Sequence, residues 1–290
     1  METIKRPAAE IKLRLQRARA DHTWVDVTFR TFRRFGEDEG GTLAAALTYY
    51  TFFSIFPLLL LAVSLLGYVT FGNESLQQEL IRSGLRTVPL LRDALSPNGL
   101  ELIMDRKGSL ALTGLALALY SGSGAIVALE HGLNRIHHVA DEPNWVQKRL
   151  RSLVWLGILG LAAIASLGLG IVSGAAPGVL AAITATIGAL LLNVGIFATA
   201  YRVLPKKDLS WREVLPGAIV AAVVFEILRF VGTAYLAQGE TTRNATFGTS
   251  AAAAALLIAS YLIAQITLLA AEVNAVLAER RATRDPFRAN

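Results

Sequence analysis

Glu226 and Arg229 are the residues of this chain best placed to do chemistry, because of what surrounds them. They interrupt LPGAIVAAVVFEILRFVGTAYL, residues 215–236, a stretch otherwise long and apolar enough to cross a bilayer. A charge at that depth costs about 2.5–3.5 kcal/mol on insertion scales, so it needs a partner or a purpose. A spacing of three sets the carboxylate and the guanidinium on one helical face, about one turn apart. Such a pair can bind a charged group, gate a polar path, or lock its helix to a neighbour. A lock need not favour stability, because two desolvation penalties oppose one attraction.

The other candidates follow the same reasoning. Tyr49 and Tyr50 stand with Thr48, Thr51 and Ser54 just before Pro57, inside another apolar run. Proline removes a backbone hydrogen bond and kinks a helix. Polar groups there either repair the break or line a cavity. Gln265 lies within the last apolar run and is the expected neighbour of the Glu226–Arg229 pair. Glu272 and Asn274 close that run, as solvated helix-end groups or as site residues. Asn244 precedes it with Thr246 and Ser250, as a cap or as part of the site.

His137-His138 with Asp141 and Glu142 comes nearest to a metal site. Adjacent histidines point in different directions on a helix, and no ligand spacing is met, so no metal is expected. There are no cysteines, which excludes disulfides, thiolate ligands and thiol nucleophiles. No Walker loop, G-x-S-x-G or H-E-x-x-H occurs. We therefore expect no cofactor and no enzyme.

The positioning elements are transmembrane helices. Hydrophobic residues make up 53% of the 290 and charged ones 17%, against about 25% in soluble domains. About 20 apolar residues cross about 30 Å of hydrocarbon. Six runs qualify, at residues 43–71, 110–129, 152–173, 178–201, 215–236 and 249–271. The expected fold is all-α, a polytopic membrane bundle of six transmembrane helices. Residues 22–280 form its single domain, between a flexible basic N-terminus, 1–21, and a basic tail, 281–290. Residues 22–36 put Trp24, Thr28, Phe32 and Phe35 on one helical face and Asp26, Arg30, Arg33 and Arg34 largely on the other. That is the pattern of a helix lying in the membrane interface. Residues 72–107 read as a small helical outer loop of balanced charge. Ser121-Gly122-Ser123-Gly124 marks a segment buried among neighbouring helices. No cleavable leader is visible, so the first run acts as the membrane signal.

Lys and Arg fix the orientation. Nine precede Thr42; Arg135, Lys148, Arg149 and Arg151 occupy one connector, Arg202, Lys206, Lys207 and Arg212 another, and Arg280, Arg281, Arg284 and Arg288 the tail. All share one side, which places both termini in the cytoplasm of a multi-pass inner-membrane protein. The same distribution explains the net charge of +6 without nucleic acid. Membrane lipids are the expected partners, with a homo-oligomer left open.

Residues 43–67, 201–236 and 244–277 resemble the YihY/BrkB family of bacterial inner-membrane proteins, as does the connector RIHHVADEPNWVQKRLRSLVWLGIL. The resemblance covers about residues 22–280. It departs at Phe247, where the family usually has tyrosine, and in the alanine-rich start of the sixth run. It implies a six-helix integral membrane protein. It also places an acidic and a basic residue at Glu226 and Arg229, the Tyr-Tyr…Pro element at Tyr49, Tyr50 and Pro57, and Glu-x-Asn at Glu272 and Asn274. The family once carried a ribonuclease label, for which this sequence supplies no nuclease-type cluster. The function expected is transport or translocation of a lipid, an envelope precursor or another solute. The alternative is a non-transporting scaffold for envelope proteins.

Overall fold

The computed structural model describes residues 23–69, 107–139, 144, 146–159, 161, 179–238 and 249–284. The basic N-terminus, nearly all of the outer loop, much of the third expected span and Asn244 lie outside them. Among the described residues the structure is all helical. Its elements are α1 (Thr23–Glu37), α2 (Gly40–Val69), α3 (Lys107–Ile136), α4 (residues 146–159), α5 (Val179–Val203), α6 (Trp211–Gln238) and α7 (Thr249–Arg284). Four of them carry stretches long and apolar enough to cross a membrane: Leu112–Ile136, Thr186–Val203, Trp211–Gly232 and Ala253–Thr283.

Helices α2 and α3 form a closely packed antiparallel pair. Glu39 meets Arg135 at 3.6 Å at one end, and Gly124 faces the Tyr50 ring further along. Gly122, Ser123 and Gly124 are buried, as their small size leads one to expect. Helices α5 and α6 form a second antiparallel hairpin, and α7 packs between the pairs, against α6, α2 and α3. Alanine supplies much of the core, including Ala44, Ala198, Ala218, Ala221, Ala264 and Ala271. Helix α6 approaches α7 closely at Gly217, where a Cβ would lie 2.1 Å from the Ala270 carbonyl oxygen.

Two helices run further than the hydrophobic runs predict. Helix α3 continues through Ile136, so Glu130, Asn134 and Arg135, expected in a connector, form its last turns. Helix α7 continues to Arg284, into the expected tail. Hydropathy marks where apolar residues stop, whereas helical hydrogen bonding continues into polar sequence when partners wait there.

Helix α1 docks on α7 through a partly polar seam. Asp26 and Thr31 are buried, while Trp24 and Phe32 are 72% and 62% exposed. Val27 and Phe35 pack inward with them while Arg30 and Arg33 stay exposed, so the docked face is a mixed one. Asp26 explains this: it pairs with Arg30 at 2.8 Å and with Arg280 of α7 at 3.6 Å.

Candidate functional site

The sequence candidates separate into two regions. Glu226 and Arg229 meet as their spacing predicts. Arg229 Nε and Nη2 both donate to Glu226 Oε2, at 2.8 and 2.7 Å. The other carboxylate oxygen accepts from Asn193 Nδ2 of α5 at 2.8 Å. At 1.5 Å per residue, Glu226 lies about 22 Å and Arg229 about 27 Å along α6 from Trp211. The pair is therefore past the helix midpoint, away from the end where α6 begins. The Glu226 side chain is 15% exposed and that of Arg229 is 56% exposed. Ile227, Phe230 and Val231 around it are exposed too. Glu226 thus anchors the pair to the bundle, and the guanidinium reaches outward with N–H groups to spare.

Gln265 does not join them. Its Nε2 donates to Tyr261 Oη at 2.7 Å, within α7. Asn193 supplies the third group instead. A lone asparagine in the apolar run 179–203 is a detectable signal, but only the fold shows which neighbour it serves. Tyr49 and Tyr50 pack edge to face at 5.4 Å, and both are exposed. Their polar neighbours turn inward on their own helix, Thr48 to the Ala44 carbonyl at 2.6 Å and Ser54 to that of Thr51 at 2.7 Å. Pro57 lies within α2, which continues through it.

The second region is the end of the bundle where α1 and α2 meet the ends of α3, α5 and α7 and the start of α6. Arg34 is its hub. It pairs with Glu279, approaches Glu272 at 3.4 Å, donates to the Ile136 carbonyl at 3.3 Å and lies 3.2 Å from His138 Nε2. Glu272 is wholly buried, with Asp38 beside it. Asn274 joins α7 to α6, accepting from Gly217 N at 2.6 Å and donating to the Val214 carbonyl at 3.1 Å. Pro216 has no N–H for the carbonyl four residues back, that of Arg212. Arg281 donates to this carbonyl at 3.0 Å. Glu213 folds back on Ser210 at the start of α6, its carboxylate accepting from Ser210 N and Oγ at 2.7 Å. His137 faces a cavity of about 380 Å³ beside Arg34, Lys207 and Glu213. Burial, then the Lys207 and Arg34 charges, lower its pKa to about 4, so it stays neutral near pH 7. Among the described residues no group of three His, Asp or Glu is arranged to hold a metal ion.

This arrangement of apolar helices with a polar, basic end has relatives. The family model described as virulence factor BrkB matches residues 31–290. The chain belongs to the BrkB family. Similar proteins include the UPF0761 membrane protein of Chromohalobacter salexigens, 30% identical over 90% of this chain and 66% of that one. The inner membrane protein YhjD of Escherichia coli (strain K12) is 27% identical over 83% of this chain and 78% of its own. The ribonuclease-like protein YfkH of Bacillus subtilis (strain 168) is 25% identical over 88% and 96%. No solved structure matches. This BrkB-family chain is an integral membrane protein.

Proposed function

We propose that the protein translocates an amphiphile, a lipid or an envelope precursor, across the inner membrane, with Glu226 and Arg229 as the embedded site. One observation carries the reading: the Arg229 guanidinium is held by Glu226 yet open on the outer face of α6. An intramembrane charge facing outward from its bundle suits a ligand that approaches from the lipid, headgroup to the guanidinium and chains left in hydrocarbon. Asn193 belongs to the site because it fixes the carboxylate. The exposed tyrosines, Tyr49 and Tyr50, are assigned to the wall of the path. Pro57 and Gln265 shape α2 and α7, and Glu272 and Asn274 brace the basic end.

The positive-inside rule makes that end cytoplasmic, with both termini on that side. There α1 lies at the membrane surface, with Trp24 and Phe32 in the lipid interface. We assign no enzymatic step. The test is translocation of a headgroup-labelled phospholipid in vesicles carrying the purified protein. Movement above that in protein-free vesicles, abolished by Glu226→Gln, is expected. A fully active Glu226→Gln protein removes the pair from the mechanism. The scaffold reading draws on the ion-paired docking of α1 on α7, and it predicts stoichiometric protein partners and no lipid movement.

A further inference from the structure

Four cations from three parts of the chain converge on one cleft at the basic end. Arg151 comes from α4, Arg202 from the last turn of α5, and Lys206 and Lys207 from the connector to α6. The cleft holds about 490 Å³, and Asp208 is its one acidic residue. Both arginines are fixed in place. Arg151 donates to the Val203 carbonyl at 2.6 Å and approaches the buried Glu130 at 3.6 Å. Arg202 donates to the Leu209 carbonyl at 3.2 Å and lies over the Trp211 ring, 4.4 Å from its centroid. Each keeps unused N–H groups, because a guanidinium has five. The connector is held as well, through Lys206 N donating to Asn134 Oδ1 of α3 at 2.8 Å. The lysine ammonium groups have no ion-pair partner among the described residues.

Four cations outnumber the two carboxylates near them, Asp208 and the buried Glu130, and a bound oxyanion offsets the excess positive charge. Fixed guanidinium groups suit bidentate phosphate recognition, and lysines add point charges. The cleft lies at the end of the apolar stretch Thr186–Val203, beside the half-exposed Trp211, and the end of a membrane-crossing run is where lipid headgroups are met. We propose that Arg151, Arg202, Lys206 and Lys207 form a binding site for a phosphate-bearing anion, separate from the Glu226–Arg229 pair at the far side of the bundle. The phosphate is that of an anionic phospholipid headgroup or of a soluble phosphorylated compound.

The test uses the full chain with Lys206→Gln and Lys207→Gln together. The control is Arg33→Gln with Arg135→Gln, an equal charge change at the same end in two exposed ion pairs. In one arm, protein in neutral detergent is titrated with pyrophosphate by calorimetry. In the other, protein in phosphatidylcholine nanodiscs doped with phosphatidylglycerol is analysed for retained phosphatidylglycerol by native mass spectrometry. Saturable binding in at least one arm is expected, weakened about tenfold or more in the cleft variant and little changed in the control. Pyrophosphate binding alone assigns a soluble ligand, and phosphatidylglycerol retention assigns the headgroup. Absence of saturable binding in both arms, or equal weakening in both variants, overturns the proposal.

Discussion

The embedded pair and the basic end use similar residues in opposite ways. At the basic end, Arg34 ties α1 to α3 and α7, and Glu272 is sealed from solvent. On α6, Glu226 and Arg229 hold each other and one asparagine, and the cation faces out. The first arrangement joins helices. The second leaves a charge available. A buried ion pair lends little net stability when formed but costs much when half removed. The two regions should therefore respond differently to single substitutions.

The largest effect is expected from Arg34→Ala. It leaves Glu272 buried beside Asp38 without its guanidinium partner and should give the largest fall in Tm in detergent. Adding Glu272→Gln should restore part of it. Acid should act at the same end through His137. Its native pKa, about 4, lies below the ordinary 6.5, so the unfolded chain binds more protons between these values. Stability is then full above pH 6.5 and falls towards pH 4, by on the order of 3 kcal/mol at most. A flatter Tm profile over that range in His137→Asn checks it. Gly217→Ala comes next. Its Cβ would meet the Ala270 carbonyl oxygen at 2.1 Å, so α6 and α7 must separate, at about 1–3 kcal/mol. The smallest effect on Tm belongs to Glu226→Gln with Arg229→Gln. Two desolvation penalties leave together with one attraction, so Tm should hold or rise. A fall as large as that of Arg34→Ala would erase the contrast between the regions.

The sequence is legible where a pattern is local. Apolar runs locate the helices, Ser121–Gly124 locates a close approach, and a spacing of three pairs Glu226 with Arg229. It is silent where partners come from distant segments. Nothing in residues 23–37 says that Asp26 will face Arg280, so the docking of α1 on α7 is not legible in them. Gln265 and Asn193 are equally isolated polar residues in apolar runs, and only the antiparallel packing of α5 on α6 selects Asn193. Glu130 and Asn134 look like a connector until α3 is seen to continue for two more turns. The contact of Glu213 with Ser210 is a local signal that the hydrophobic pattern overshadows.

The most direct measurement exploits the absence of cysteine. In Arg229→Cys the new thiol is the only one in the protein, so a thiosulfonate reagent modifies that position alone. Vesicles carrying this variant should lose translocation of the labelled phospholipid. An aminoethyl reagent should return part of it by restoring a cation, and an uncharged methyl reagent should not. Full activity before modification, or equal recovery with both reagents, would contradict a role for the Arg229 charge.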